Sequence, residues 1–238
     1  MKTTWKASAA VAILLIIGLA IAAWYRLCHV NAQPAWVTAN SQDRYFYGSV
    51  GAGETRGIPY WVWLAMPRVF PEHMPGPGGY ASLGMAWEEG REMPVGFAKQ
   101  QIGYIRVSGN CALCHVTTLT TQPDQAPRIL PAVFGKTTEL KPLLNFFQQC
   151  AADPRFNSDE LFSEIEKDTS LSLWDKALYR YILIPRIKRA FLEDPAQVLL
   201  SPAIRAHWQN PRSDSPFTDP ELKELRNYIR QQSKPAQP

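Results

Sequence analysis

Cys111-Ala112-Leu113-Cys114-His115 sets two thiols three positions apart with an imidazole directly after the second. On a helical turn positions i and i+3 fall on the same side, so both sulfurs can reach the two vinyl groups along one porphyrin edge. The adjacent imidazole then lies under the ring, where a nitrogen can ligate iron. C-x-x-C-H is the attachment signature of c-type haem. The expected cofactor is one covalently bound haem c, joined through Cys111 and Cys114, with His115 as the proximal axial ligand. A structural zinc site needs four ligands, and His29, His73, His207, Cys28 and Cys150 form no second paired cluster. A thioredoxin-like pair would sit between a strand and a helix start and would have no use for His115.

The sixth iron position decides what such a haem can do. Small electron-transfer cytochromes place a Met well after the motif, but all five Met here (Met1, Met66, Met74, Met85, Met93) precede Cys111, and only His207 follows. Met66, Met74, Met85, Met93, His73, His207 and an open site all remain candidates. A thioether or imidazole gives a low-spin iron suited to electron transfer, whereas a vacant position admits oxygen, peroxide or carbon monoxide. No catalytic residue is evident near the motif. Trp61, Trp63, Tyr80, Trp87 and Phe97 are either a lining for the haem edge or ordinary core aromatics. Cys150 reads as a small buried residue of a helix. Arg180, Arg186, Lys188 and Arg189 read as a solvated face, or beside a membrane as a contact for lipid phosphates.

Haem attachment requires export, and the N-terminus supplies a means. Lys2 and Lys6 precede an uncharged run from Ala7 to Ala23, bracketed by Trp5 and Trp24-Tyr25. From Trp5 to Tyr25 a helix reaches roughly 30 Å at about 1.5 Å per residue, enough for a bilayer's hydrocarbon. The leading Lys pair predicts an N-in, C-out anchor over residues 1–26 in the cytoplasmic (inner) membrane, with the haem domain facing the periplasm. Val30-Asn31-Ala32 before Gln33 also fits signal-peptidase cleavage, which after cutting near Ala32 would release a soluble periplasmic protein beginning at Gln33. Tyr25-Arg26-Leu27 is too bulky and charged to make Cys28 a lipoprotein cysteine. The expected partners are membrane lipid, through the N-terminal helix, and a redox protein. A formal charge of +4 is too mild to point to nucleic acid.

Residues 27–232 then form the haem domain. Gly, Pro and aromatics crowd 27–110, predicting an irregular layer of turns with a short helix near Trp61 to Arg68. Residues 111–232 carry the motif and helices. Pro142 opens one helix through Ala152, and Asn157 with Glu160 opens the next in a capping-box spacing. Ser172 with Asp175 opens a helix from Leu173 that Pro185 must kink or break. Ser201-Pro202 and Thr218 with Glu221 open two more, and 233–238 is a disordered tail. The fold class expected is mostly α, a cytochrome-c-like helical haem domain wrapped by irregular Gly/Pro-rich loops, with an N-terminal transmembrane helix.

Tyr47-Gly48-Ser49-Val50-Gly51, Gly57 to Trp63, Gly79 to Gly84, Pro94-Val95-Gly96-Phe97 and Asn110 to His115 carry a family resemblance. Asp153-Pro154-Arg155-Phe156 and Tyr179 to Arg186 extend it. Over about residues 43 to 192 the chain resembles the N-terminal haem half of the di-haem cytochromes c related to the bacterial rubber oxygenases, themselves distantly similar to di-haem cytochrome c peroxidases. The resemblance implies an exported haem protein with a loop-rich, mostly helical shell, and maps Cys111, Cys114 and His115 onto covalent attachment and proximal ligation. Those relatives carry a second C-x-x-C-H, and this chain carries one. Their chemistry involves both haems, so the more economical expectation is a mono-haem cytochrome c for single-electron transfer. The alternative is a haem-dependent oxygenase or peroxidase, or a gas-binding haem protein, with an open distal site.

Overall fold

The structure, a computed structural model, describes residues 11, 13–22, 24–25, 29–50, 57–120, 128–131 and 138–209. Residues through Pro202 form one compact unit and those from Ala203 a second. In the first unit, α1 (Ala35–Thr38) leads into α2 (Ser41–Tyr47). Asn40 stops the chain in an extended conformation and caps α2, its Oδ1 accepting from the Asp43 amide at 2.7 Å. The helix expected near Trp61 to Arg68 is present as α3 (Tyr60–Val69), entered directly from the short strand β1 (Ile58–Pro59).

The stretch from 27 to 110 is more regular than a layer of turns. β2 (Phe97–Ile102) and β3 (Tyr104–Gly109) form a tight antiparallel hairpin about Gly103, whose φ of 70° is a left-handed conformation that glycine adopts without strain. β1 pairs along the other side of β3, giving the order β1-β3-β2 and leaving Pro59 on an edge strand, where its missing N–H costs no ladder bond. The hairpin escapes a period-two reading because Phe97 and Ala98 are both buried while Lys99, Gln100 and Gln101 are a polar run. A second antiparallel pair, β4 (Val116–Leu119) with β5 (Arg128–Pro131), follows the C-x-x-C-H motif at once.

Helices dominate the rest, and their local start signals hold. α4 (Leu140–Ala152) begins two residues before Pro142. Asn157 caps α5 (Ser158–Ile165) by accepting from the Asp159 and Glu160 amides, both at 3.0 Å. Ser172 caps α6 (Leu173–Leu178) by accepting from the Asp175 amide at 3.1 Å. Pro185 does not break the path. One wide turn, Tyr179–Leu183, in which the Ile184 amide reaches back five residues to the Tyr179 carbonyl, carries α6 into α7 (Ile184–Glu193). Such a turn takes up the missing Pro185 donor and the ring's conflict with the preceding turn. α8 (Pro195–Leu199) and α9 (Pro202–Gln209) complete the described helices, the latter opening at Ser201-Pro202 as expected. The helix expected from Thr218 and the tail 233–238 lie outside the described residues.

Aromatic side chains hold these layers together. Phe147 of α4 stacks on Phe191 of α7 at 4.9 Å, and Trp63 of α3 stacks on Tyr80 at 4.3 Å. Each stacked pair adds about 1 kcal/mol beyond its burial. The fold is therefore mostly α with two small antiparallel sheets.

At the N-terminus, residues 11, 13–22 and 24–25 are helical and exposed on every face, from Val11 and Ile13 through Ile21 to Trp24 and Tyr25. No helix among the described residues is long and apolar enough to cross a membrane. The remainder of the run expected as an anchor lies outside them.

Candidate functional site

Cys111, Ala112 and Leu113 form one 3-10 turn directly after β3. Its register separates two kinds of side chain: Ala112 and Leu113 are buried, Cys111 is exposed, and Cys114 and His115 are half-buried. The amide of His115 donates to the Cys111 carbonyl at 3.1 Å, so the turn continues through the imidazole residue. Val116 is again buried and begins β4, which pins the far side of His115. The x residues of the motif are thus its anchors.

Three residues outside the motif fix this turn. Asn110 is buried in extended backbone, and its Oδ1 accepts from the Ala112 amide at 2.9 Å. Its Nδ2 donates to the carbonyls of Phe46 at 3.1 Å and Gly48 at 3.0 Å, tying the turn to the end of α2. Gly96 passes behind the turn at φ 94°, and a Cβ there would meet the Leu113 Cα at 2.4 Å, so only glycine permits the approach. Tyr45 of α2 donates its hydroxyl to the His115 carbonyl at 2.9 Å. Burial, then the nearby Cys111 and Cys114 sulfurs, push the Tyr45 hydroxyl above its ordinary range, which keeps it a neutral donor. Of these, Asn110 has a legible signal, a capping residue immediately before the motif. Gly96 and Tyr45 act across 17 and 70 residues of chain and have none.

Beside the turn lies an open concavity of about 610 Å³, lined by Cys111, Tyr45, Arg44, Val50, Ala39 and neighbours from α1 and α2. That size falls in the range of small-molecule and cofactor sites. None of Met66, Met74, Met85, Met93 or His73 lines it. The four Met side chains are buried in the fold, while His73 sits 3.5 Å from Asp153. His207 falls in α9, and its side chain lies outside the described ones. Trp63, Tyr80 and Phe97 pack on one another in the core, as ordinary aromatics do. Cys150, fully buried in α4, has its thiol driven far up by burial and by the Asp153 charge.

Among the described residues one other group of metal-capable side chains converges: Glu72, His73 and Asp153. Arg155 already occupies it, donating to both Glu72 and Asp153, the latter at 2.7 Å. The guanidinium holds both carboxyls below their usual range. A depressed carboxyl pKa means the unfolded chain binds more protons, so this stabilisation is complete above about pH 5 and lost as pH falls further. Melting curves of the protein across acid pH are expected to drop below about pH 5, and the drop is expected to be shallower in Arg155→Gln.

No family model matches the chain, and no curated protein or solved structure does either.

Proposed function

We propose that the chain is a mono-haem c-type cytochrome, exported and held at the cytoplasmic membrane by its N-terminal run, that passes single electrons between redox proteins on the periplasmic side. The observation that carries this reading is the turn at Cys111–Leu113, which buries the two x residues and leaves Cys111 exposed and Cys114 and His115 half-buried. The donor set fits a porphyrin edge: two sulfurs one turn apart, an imidazole next to them, and an open, partly apolar concavity at Cys111. When bound, the haem supplies a one-electron iron couple.

The chain's own residues do the remaining work. Cys111 and Cys114 would carry the thioether links, and His115 would offer a ring nitrogen to the iron. Tyr45 fixes the backbone of His115, and Arg44, which lines the concavity, would offer a cation to a carboxylate of the bound group. An exposed helix that is apolar all round suits a bilayer better than water, which supports the anchor. The resemblance to the N-terminal haem half of the rubber-oxygenase-related cytochromes c belongs to the same reading.

A second reading has one observation in its favour. No Met candidate, nor His73, lines the concavity at Cys111, which suits an open distal face and so an oxygenase, a peroxidase or a gas-binding protein. Visible spectra of the reduced holoprotein with and without carbon monoxide separate the two. For the carrier we expect a low-spin ferrous spectrum that carbon monoxide changes slowly or only in part, and no sustained peroxide turnover. A high-spin ferrous form that binds carbon monoxide at once would move the open-site reading to first place.

A further inference from the structure

α6 and the wide turn that follows it carry the most exposed large apolar side chains on the body of the fold. Leu173 and Trp174 are 88% and 78% exposed, and Tyr181 and Ile182 are 74% and 51% exposed. Trp174 stands in α6 and Tyr181 in the wide turn directly after it, seven residues on. Isolated exposed apolar residues are ordinary, but several large ones grouped with aromatics mark a contact surface. The wide turn at Tyr179–Leu183 sets where Tyr181 and Ile182 project, and such turns recur at functional positions.

Two further observations say what covers this face. The first is charge. Arg186 and Arg189 continue it into α7, exposed and without a carboxylate partner among the described residues. Arg180 also lies on it, though paired with Asp159 at 2.6 Å. Trp and Tyr beside arginines is the composition of a membrane–water interface, with cations facing lipid phosphates. The second is continuity with the N-terminal run. Val30, five residues past Tyr25, bridges to Ile102, and Asn31 and Gly103 complete the pairing through Gln101 and His29. Val30 and Ile102 line the same groove, about 660 Å³, as Leu178, Ile182 and Arg186. The chain just past its apolar run therefore lines the groove that Ile182 and Arg186 of this face also line.

We infer that the face made by Leu173, Trp174, Tyr181, Ile182, Arg186 and Arg189 is a second membrane contact that lies on the surface of an anionic bilayer. The inference rests on the anchor reading above. An anchored run alone leaves the body free to swing about its exit point. A second contact at the exit groove holds the body in one orientation and presents the haem turn at a fixed angle to partners.

The test uses the full chain in vesicles of brominated phosphatidylglycerol, which quench tryptophans at the bilayer, and compares wild type with Trp24→Phe and Trp174→Phe. Both substitutions are expected to remove a quenched component, Trp24 reporting the anchor and Trp174 the face. Arg186→Gln and Arg189→Gln, both at exposed positions, are each expected to lower the docked-to-undocked ratio of Trp174 by about fivefold, leaving the Trp24 component unchanged. Brominated phosphatidylcholine is expected to retain the Trp24 component and weaken that of Trp174. A quenched Trp24 with a Trp174 that only aqueous iodide reaches overturns the second contact and leaves the anchor standing. A Trp174 that neither quencher reaches gives the face to a protein and overturns the proposal as well. If neither tryptophan meets lipid, anchor and contact fall together.

Discussion

Cys111→Ala with Cys114→Ala is expected to abolish covalent haem altogether. Wild-type protein made alongside a c-type maturation system should keep peroxidase-active stain on a denaturing gel and carry the mass of one haem. The double variant should show neither. Cys111 is exposed and Cys114 half-buried, so truncating both sulfurs leaves the core as it was, and loss of haem cannot be put down to unfolding. His115→Ala keeps both thiols and should retain the stain while changing the visible spectrum, because attachment and ligation are separate tasks. Cys150→Ala is the control within the chain: it opens a small cavity in α4 but should not alter haem content. Extraction of haem from the wild-type protein by acidic acetone would overturn the attachment reading outright.

The second large effect is expected at Asn110. Ala at this position strands the Gly48 carbonyl and the Ala112 amide in buried surroundings, and takes one of two donors from the Phe46 carbonyl, which keeps the Gly96 amide at 2.9 Å. Each buried polar group left without a partner costs about 1–3 kcal/mol, so Asn110→Ala should destabilise the chain by at least about 2 kcal/mol. Against a total of about 5–15 kcal/mol for a typical domain that is a large share. Urea unfolding of the haem-free chain would measure it without involving the cofactor. Asn110→Asp keeps the acceptor for Ala112 but turns a carboxylate toward two carbonyls, and should be no better than Ala. Haem incorporation is expected to fall in parallel, because the same bonds shape the turn that presents the sulfurs. A change below about 0.5 kcal/mol, the size of a neutral surface substitution, would show that the turn holds its shape without Asn110.

What could be read from residues alone follows how locally each feature is determined. Asn157 and Ser172 cap helices through amides two or three residues away, and a capping residue's chemistry is visible without knowing the rest of the fold. The C-x-x-C-H spacing is legible for the same reason. The β2–β3 hairpin was not, because Phe97 and Ala98 are covered on both faces and erase the alternation by which a strand is known. The roles of Tyr45 and Gly96 at the turn have no local sign, because a tyrosine 70 residues from its acceptor, or a glycine that yields to a passing backbone, has no signature in its neighbours. The wide turn before Pro185 lies between these cases: the proline announces a disturbance, and only the packing of Leu183, Ile184 and Ile187 makes an overwide turn better than a break.

The buried thiol of α4 has a consequence for how the protein matures. In an oxidising compartment, sulfurs trade partners through attack by a thiolate, and the rate follows the thiolate fraction and the access of the attacking atom. Cys150 is short of both, since burial drives its thiol far above the ordinary range and closes it off from approach. Once α4 has folded against α7, that sulfur is withdrawn from exchange, and the competition for oxidants and mixed disulfides among the described cysteines narrows to Cys111 and Cys114. Among the described cysteines the one mispairing left to that pair is with each other, a short-range bond that a reductant can undo.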